Sequence, residues 1–212
     1  MVSGEGSNLQ ALLDAEAAGV LGARIVAVLS DRPGARALER ARTAGKPAVL
    51  LEPDPPGDTG RAAWDRATLR ELDRWRPDLV VLAGYMRILG PSVVAAYRHR
   101  IMNVHPSLLP AFPGRHAVRQ ALAHGVKVTG CTVHFVDEGV DTGPIILQAA
   151  VEVREEDDEA SLTRRIQQEE HRIYPLAVWL FANGRLEVEG RRVRVRGPVP
   201  ERLPAPVDEI VG

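Results

Sequence analysis

Apolar positions recur along this 212-residue chain with two periods, one helical and one extended. Leu9, Leu12, Leu13 and Ala17 follow a glycine-rich turn, Ser3-Gly4-Glu5-Gly6-Ser7-Asn8, at helical spacing. Ser7 and Gln10 fit a capping box, which predicts a helix starting at Ser7. Residues 25–30 form a continuous aliphatic run, predicted to be a buried parallel strand. The turn Asp31-Arg32-Pro33-Gly34 opens a helix to residue 44, residues 48–51 predict a short strand, and a helix over 61–75 is closed by Pro77. Residues 78–83 are the most strand-like run, and they empty into the loop 84–91 at a strand's C-terminal end, where open parallel sheets bind ligands. Further on come a short helix at 91–97, a helix at 117–124, extended runs at 128–136 and 145–153, a long helix at 157–183 and a hairpin at 186–196 around Gly190. Strands alternating with helices before a late hairpin predict an α/β fold. The expected form is an open, mostly parallel, Rossmann-like sheet with helices on both faces and a mixed C-terminal part. One domain is expected over residues 1–197, followed by a Pro-rich tail over 198–212.

Candidate chemistry centres on residues 101–116. Pro106, Pro110 and Pro113 exclude a helix and a central ladder, so a stiff loop must leave the strand there. Just before it, Asn103 and His105 stand two apart, which puts both side chains on one face of an extended segment. An amide donor beside an imidazole suits acyl transfer; a buried pair satisfied by neighbouring backbone is the other reading. In the long helix, Leu162, Ile166, Ile173, Ala177 and Leu180 share a face, and Glu170 completes their ladder. A carboxylate on an apolar stripe needs a partner, either an arginine or a cationic ligand in a cavity. The Gly-rich turn at Ser3–Asn8 could hold a phosphate on free helix amides, although it lacks the third glycine of a dinucleotide fingerprint and the Lys-Ser/Thr of a P-loop.

Composition narrows the classes. With 27 basic and 28 acidic residues the chain has no electrostatic footprint for nucleic acid or an anionic membrane. All but two of the basic residues are arginine, a bias from which no function follows. The single cysteine, Cys131, excludes an internal disulfide and a thiolate cluster within one chain. Neither a signal-peptide pattern nor a long apolar run is present, so a cytoplasmic location is expected.

Five motifs, agreeing in order and spacing, carry a resemblance to a known family. Ser-Gly-x-Gly-Ser-Asn-Leu-Gln-Ala at Ser3–Ala11 and Leu-Ala-Gly-Tyr-Met-Arg-Ile-Leu at Leu82–Leu89 resemble the phosphoribosylglycinamide formyltransferases. Asn-Val-His-Pro-Ser-Leu-Leu-Pro at Asn103–Pro110 resembles the signature of the wider 10-formyltetrahydrofolate-dependent formyltransferase family, and His134–Pro144 and Gln168–Pro175 fit in the same order. The similarity covers roughly residues 1–186. It implies transfer of a formyl group from 10-formyltetrahydrofolate, as co-substrate, to the glycine amine of phosphoribosylglycinamide in purine synthesis, with no metal. Partners would be these small molecules, with no nucleic acid and no membrane; a homodimer is compatible with the resemblance. By the family's pattern Asn103, His105 and Asp141 are catalytic. Gly6, Ser7 and Asn8 hold the phosphate, and Glu170, with Gln167, Gln168 and Glu169 beside it, lies at the glycinamide. Arg61, the loop Met86, Arg87, Ile88 and Leu89, Asn103, and the loop Asp137, Glu138, Gly139, Val140 and Asp141 contact the folate. The family places a full strand before the Ser3 loop, whereas only Met1 and Val2 precede it here.

Rival readings fit less well. A formyltetrahydrofolate hydrolase is expected to carry a regulatory domain, and a methionyl-tRNA formyltransferase a tRNA-binding domain and a basic surface. A serine hydrolase using Ser107, His105 and Asp141 lacks a G-x-S-x-G elbow, and a zinc hydrolase using His105, His116, His134 and Asp141 lacks H-E-x-x-H. A non-catalytic nucleotide or folate sensor on the same scaffold is the alternative of another class.

Overall fold

The computed structural model describes residues 1–205, so the last part of the expected tail, residues 206–212, lies outside the described residues. The element order is α1 (Ser7–Ala17), β1 (Val28–Ser30), α2 (Arg36–Thr43), β2 (Ala48–Leu50), α3 (Arg61–Trp75), β3 (Val80–Leu82), α4 (Pro91–Ala96), β4 (Ile101–His105), α5 (Ala117–Ala123), β5 (Val128–Phe135), β6 (Ile145–Glu152), α6 (Glu159–Ala182), β7 (Leu186–Glu189) and β8 (Arg192–Val195). β1 pairs with β2 in parallel, and β3 with β4 in parallel. From β4 onward the sheet turns mixed: β4–β5 and β5–β6 are antiparallel, β6 meets β8 in parallel, and β7 closes the hairpin on β8. The expected α/β open sheet with a mixed C-terminal part is therefore what forms.

Two apolar clusters cover the sheet. One gathers Leu9, Leu12 and Leu13 of α1, Ala37 and Ala41 of α2, Val118 of α5 and the apolar stripe of α6 over Met102, Val104, Val133 and Phe135. The other packs Leu72 of α3 and Val93 and Val94 of α4 against Leu29, Val80, Leu82 and Ile101. α6 is the central helix. Asp158 caps it in a reciprocal box with Ser161, and it runs unbroken through Pro175. The fully buried Tyr174 hydroxyl lies 3.0 Å from the carbonyls of both Leu82 and Met102, tying this helix to adjacent strands.

Met1–Ser3 fill the slot between β1 and β3. Val2 bridges Ser30 in parallel and donates its amide to Leu29, Ala83 donates to the Met1 carbonyl, and Ser3 donates to Gly84. These three residues join the two sheets and fix where the Ser3 loop begins. The strand expected over 25–30 is shorter, Val28–Ser30, because Ile25, Val26 and Ala27 face the continuation of that slot, a cavity of about 550 Å³ that Leu79, Val80 and Val81 line from the other side. The Met1 amine is buried there. It donates to the Val81 carbonyl at 2.5 Å, and burial lowers its pKa to about 5. The residues beyond β8 are tied back by Arg185 to Pro198 and Arg172 to Glu201, and Leu203 packs on the larger cluster.

Candidate active site

β4 carries the amide and imidazole, and its partner strand supplies a second imidazole. In the β4–β5 register Asn103 faces His134 and His105 faces Thr132. Beyond His105 the proline-rich loop is pinned by one hydroxyl. Thr132 Oγ1 donates to the Ser107 carbonyl (2.7 Å) and accepts from the Leu109 amide and from Gln148 Nε2. Ser107 Oγ donates to the Ala111 carbonyl, so it braces the loop rather than acting as a nucleophile. The loop then returns the Phe112 carbonyl to 2.8 Å from His105 Nε2. A carbonyl only accepts, so Nε2 carries a proton and Nδ1 is the edge left for chemistry.

Asp141 meets that edge. The 137–144 segment folds back over β4 with Asp141 in a left-handed conformation (φ 54°), and its Oδ2 lies 3.3 Å from His105 Nδ1 while accepting the Gly114 amide at 2.8 Å. Asp141 Oδ1 stands 3.6 Å from His134 Nε2. Burial opposes the charge on Asp141, but the His134 ring, the Gly114 amide and the His105 ring outweigh it and hold the carboxyl below its ordinary range. The carboxylate is thus ionised at neutral pH and faces the His105 ring.

His134 was not among the site residues expected from sequence. Its Nδ1 lies 2.9 Å from the Phe135 carbonyl, so in the neutral ring Nε2 is an acceptor. Asn103 Nδ2 lies 3.3 Å from that nitrogen and in this tautomer donates to it, which leaves its second N–H for a ligand; with a proton on Nε2 the ring faces Asp141 as a donor instead. The sequence marked His134 as the start of the motif His134–Pro144 and as a ligand in the rejected zinc reading, but not in this role.

A second group lies at the start of α1. The helix does begin at Ser7, but the expected capping box is not formed: Gly6 is the N-cap at φ 76°, Ser7 is the first helical residue, and no side chain caps the first turn. The uncapped amides and the dipole leave this end open to an anion. A Cβ on Gly6 would lie 2.7 Å from Ala37 Cβ, so α2 packs closely under the loop. Asn8 Nδ2 donates to Glu170 Oε2 at 2.8 Å, joining α1 to α6, while the buried Asn8 Oδ1 has no partner. Glu170 is 6% exposed; burial pushes its carboxyl up, and the Asn8 bond offsets this in part. Of the two partners considered for Glu170, an arginine is excluded among the described residues, for it meets an amide.

The remaining expected residues are more scattered. Gln167 and Gln168 sit on α6 beside Glu170, but Gln168 is exposed and lines a surface cleft with Arg154 and Asp157. Glu169 pairs with Arg172 at 2.7 Å. Met86 and Ile88 are exposed (68% and 54%) and Leu89 is buried, while Arg87 bonds Asp31. Arg61 is exposed at the first turn of α3. Asp137 holds its own loop through Gly139 and Thr142, Glu138 and Gly139 are exposed, and Val140 is 48% exposed. Among the described residues no group of three or more His, Cys, Asp or Glu is arranged to hold a metal ion.

Comparison with known proteins sets this geometry in context. Residues 1–178 match the family model described as formyl transferase. Phosphoribosylglycinamide formyltransferase of Escherichia coli (strain K12) is 45% identical over 96% of this chain and 94% of its own length. The trifunctional purine biosynthetic protein adenosine-3 of Drosophila melanogaster is 48% identical over 87% of this chain, which spans 14% of that longer protein. Glycinamide ribonucleotide transformylase 1 from Symbiobacterium toebii superposes with a TM-score of 0.88 at 56% identity, covering 92% of this chain and 91% of the other.

Proposed function

The chain belongs to the formyl transferase family, and we propose that this site transfers a formyl group from 10-formyltetrahydrofolate to the glycine amine of 5′-phosphoribosylglycinamide, giving the N-formyl product and tetrahydrofolate in purine biosynthesis. The observation that carries this reading is the convergence of Asn103, His105 and Asp141, from a strand and a distant loop, with a free amide N–H and an imidazole edge backed by a carboxylate. Residues 1–197 are the transferase unit, and residues 198–205 form an appendage held to it.

Attack of an amine on the formamide carbon builds negative charge on oxygen and positive charge on nitrogen. The second N–H of Asn103, held by His134, donates to that oxygen; a donor so placed is typically worth about 3–4 kcal/mol of barrier. His105, with Nδ1 facing Asp141, supplies a proton and, as imidazolium, stabilises the same oxyanion. As the intermediate collapses, the attacking nitrogen loses a proton and the departing folate nitrogen gains one, through His105 or a relayed water. No covalent enzyme intermediate is required.

Binding follows the same arrangement. The uncapped start of α1, at Gly6, Ser7 and Asn8, holds the phosphate, and Glu170 with the free Asn8 oxygen receives the glycinamide end. Gln167, Gln168 and Glu169 flank that end. The exposed apolar Met86, Ile88 and Val140 offer the folate rings an apolar surface, with Arg61, Arg87, Leu89 and residues Asp137–Asp141 around it. No helix among the described residues is long and apolar enough to cross a membrane.

Mixing the protein with both substrates and following tetrahydrofolate release tests the reading. Amine-dependent turnover is expected, falling by about 10²–10⁴-fold in His105→Ala and Asp141→Asn. Release without the amine would make the protein a hydrolase, and binding without release a sensor.

A further inference from the structure

One buried hydroxyl joins the two loops to which the proposed site assigns different substrates. Ser3, 6% exposed, ends the segment in the β1–β3 slot and opens the loop to Gly6, Ser7 and Asn8. Its Oγ donates to Asp31 Oδ1 at 2.5 Å and accepts the Met86 amide at 2.9 Å. An amide can only donate, so the single hydroxyl proton must go to Asp31, and the order of the three groups is unique. Asp31 lies just past β1 with its side chain 3% exposed, and its other oxygen accepts Arg87 Nε at 3.1 Å. The Arg87 guanidinium in turn stacks on the Trp64 ring of α3, 3.5 Å from its centre. Four segments of the chain therefore converge on this chain of contacts. Neither Ser3 nor Asp31 bonds to Asn103, His105, Asp141 or Glu170.

We propose that Ser3 is a positioning residue for both substrates and Asp31 for the folate, together holding the 84–90 loop in register with the loop at the start of α1. The assignment rests on the function proposed above. Ser3 fixes the Met86 amide, and hence the path of the backbone from Met86 to Leu89. Asp31 fixes the Arg87 side chain, whose terminal nitrogens remain available. Loss of the hydroxyl releases both loops at once, so a residue that touches neither substrate governs the binding of both. Asp31 differs from Ser3 in acting on one side, because its second oxygen serves only Arg87.

Steady-state kinetics with 10-formyltetrahydrofolate and phosphoribosylglycinamide, run well below the melting temperature, separate these roles. Ser3→Ala is expected to raise KM for both substrates by about ten-fold with little change in kcat, the loss typical of a hydrogen bond to a charged group. Asp31→Asn keeps an oxygen for the Ser3 proton but presents N–H to Arg87, so it is expected to raise KM for the folate alone. A role confined to folding would lower Tm in both variants and leave each KM within about two-fold of wild type; that result, or a fall in kcat without a KM change, overturns the proposal. If Ser3→Ala does not fold, the folate-selective effect of Asp31→Asn decides alone. Wild-type protein without amine-dependent turnover would overturn the functional reading and this assignment with it, whereas normal turnover with unmoved KM values overturns the assignment only.

Discussion

At single residues, the site is defined by which nitrogen or oxygen each partner leaves free. His134 turns the Asn103 amide by accepting from its nitrogen, so His134→Phe is expected to lower kcat by about ten-fold or more, through loss of part of the donor's 3–4 kcal/mol, with a smaller effect on KM. His134→Asn, which can still accept from Asn103, should recover part of the rate, and equal rates in both variants would remove the orienting role. Glu170 allows a sharper test because its burial raises the carboxyl pKa from an ordinary value of 4.5. The folded protein then holds that proton more tightly than the unfolded chain. Stability is therefore lost as pH rises above about 4.5 and levels off above the folded pKa. Glu170→Gln keeps an acceptor for Asn8 and removes the titration, so it should raise Tm at pH 8 and leave it little changed at pH 4. A Tm difference independent of pH would contradict the assignment. Glu170 was legible in sequence because one carboxylate interrupts a regular apolar stripe. The Asn103–His134 contact was not, for it depends on the β4–β5 register, which no local pattern encodes.

Among the elements, α1 shows how a correct boundary can rest on the wrong cause. The expected start at Ser7 is observed, but the N-terminus is set by Gly6 at φ 76° with its Cα against Ala37, not by a hydroxyl cap. A glycine in that conformation saves the strain of a Cβ, and the uncapped amides stay open for a phosphate. Gly6→Ala would add left-handed strain, roughly 1–2 kcal/mol, and overpacking against α2, roughly 1–3 kcal/mol. It is expected to lower stability measurably and to raise KM for phosphoribosylglycinamide more than for the folate. Gly4→Ala meets nothing within 4 Å and should change neither, which makes it the control for urea unfolding and kinetics in parallel. The prolines of the 106–113 loop, the period of α6 and the late hairpin were all readable, because each is dictated by local chemistry. The strand at 25–30 was read too long for the opposite reason. An aliphatic run reports burial, but only a neighbour on both sides makes it a ladder, and residues 25–27 border the cavity instead.

For the molecule as a whole, the slot between β1 and β3 is where stability is most open to change. Met1 occupies a mid-ladder position: its nitrogen donates to Val81 as a strand amide would, and its carbonyl accepts from Ala83. Beyond it, the cavity of about 550 Å³ is lined largely by apolar side chains, among them Leu12, Ile25, Val26, Leu79 and Phe181, with Arg24, Arg76 and Asp78 also at its wall. An engineered extension of about four alternating Val and Ile residues ahead of Met1, at roughly 3.3 Å per residue, reaches along that cavity and pairs with both flanking segments. It is expected to raise Tm and slow amide exchange at residues 25–27 and 79–81. A Gly-Ser extension of equal length fills nothing, so it should give a smaller gain in Tm. If both extensions give the same Tm and leave exchange at 25–27 unchanged, the slot does not accept a strand.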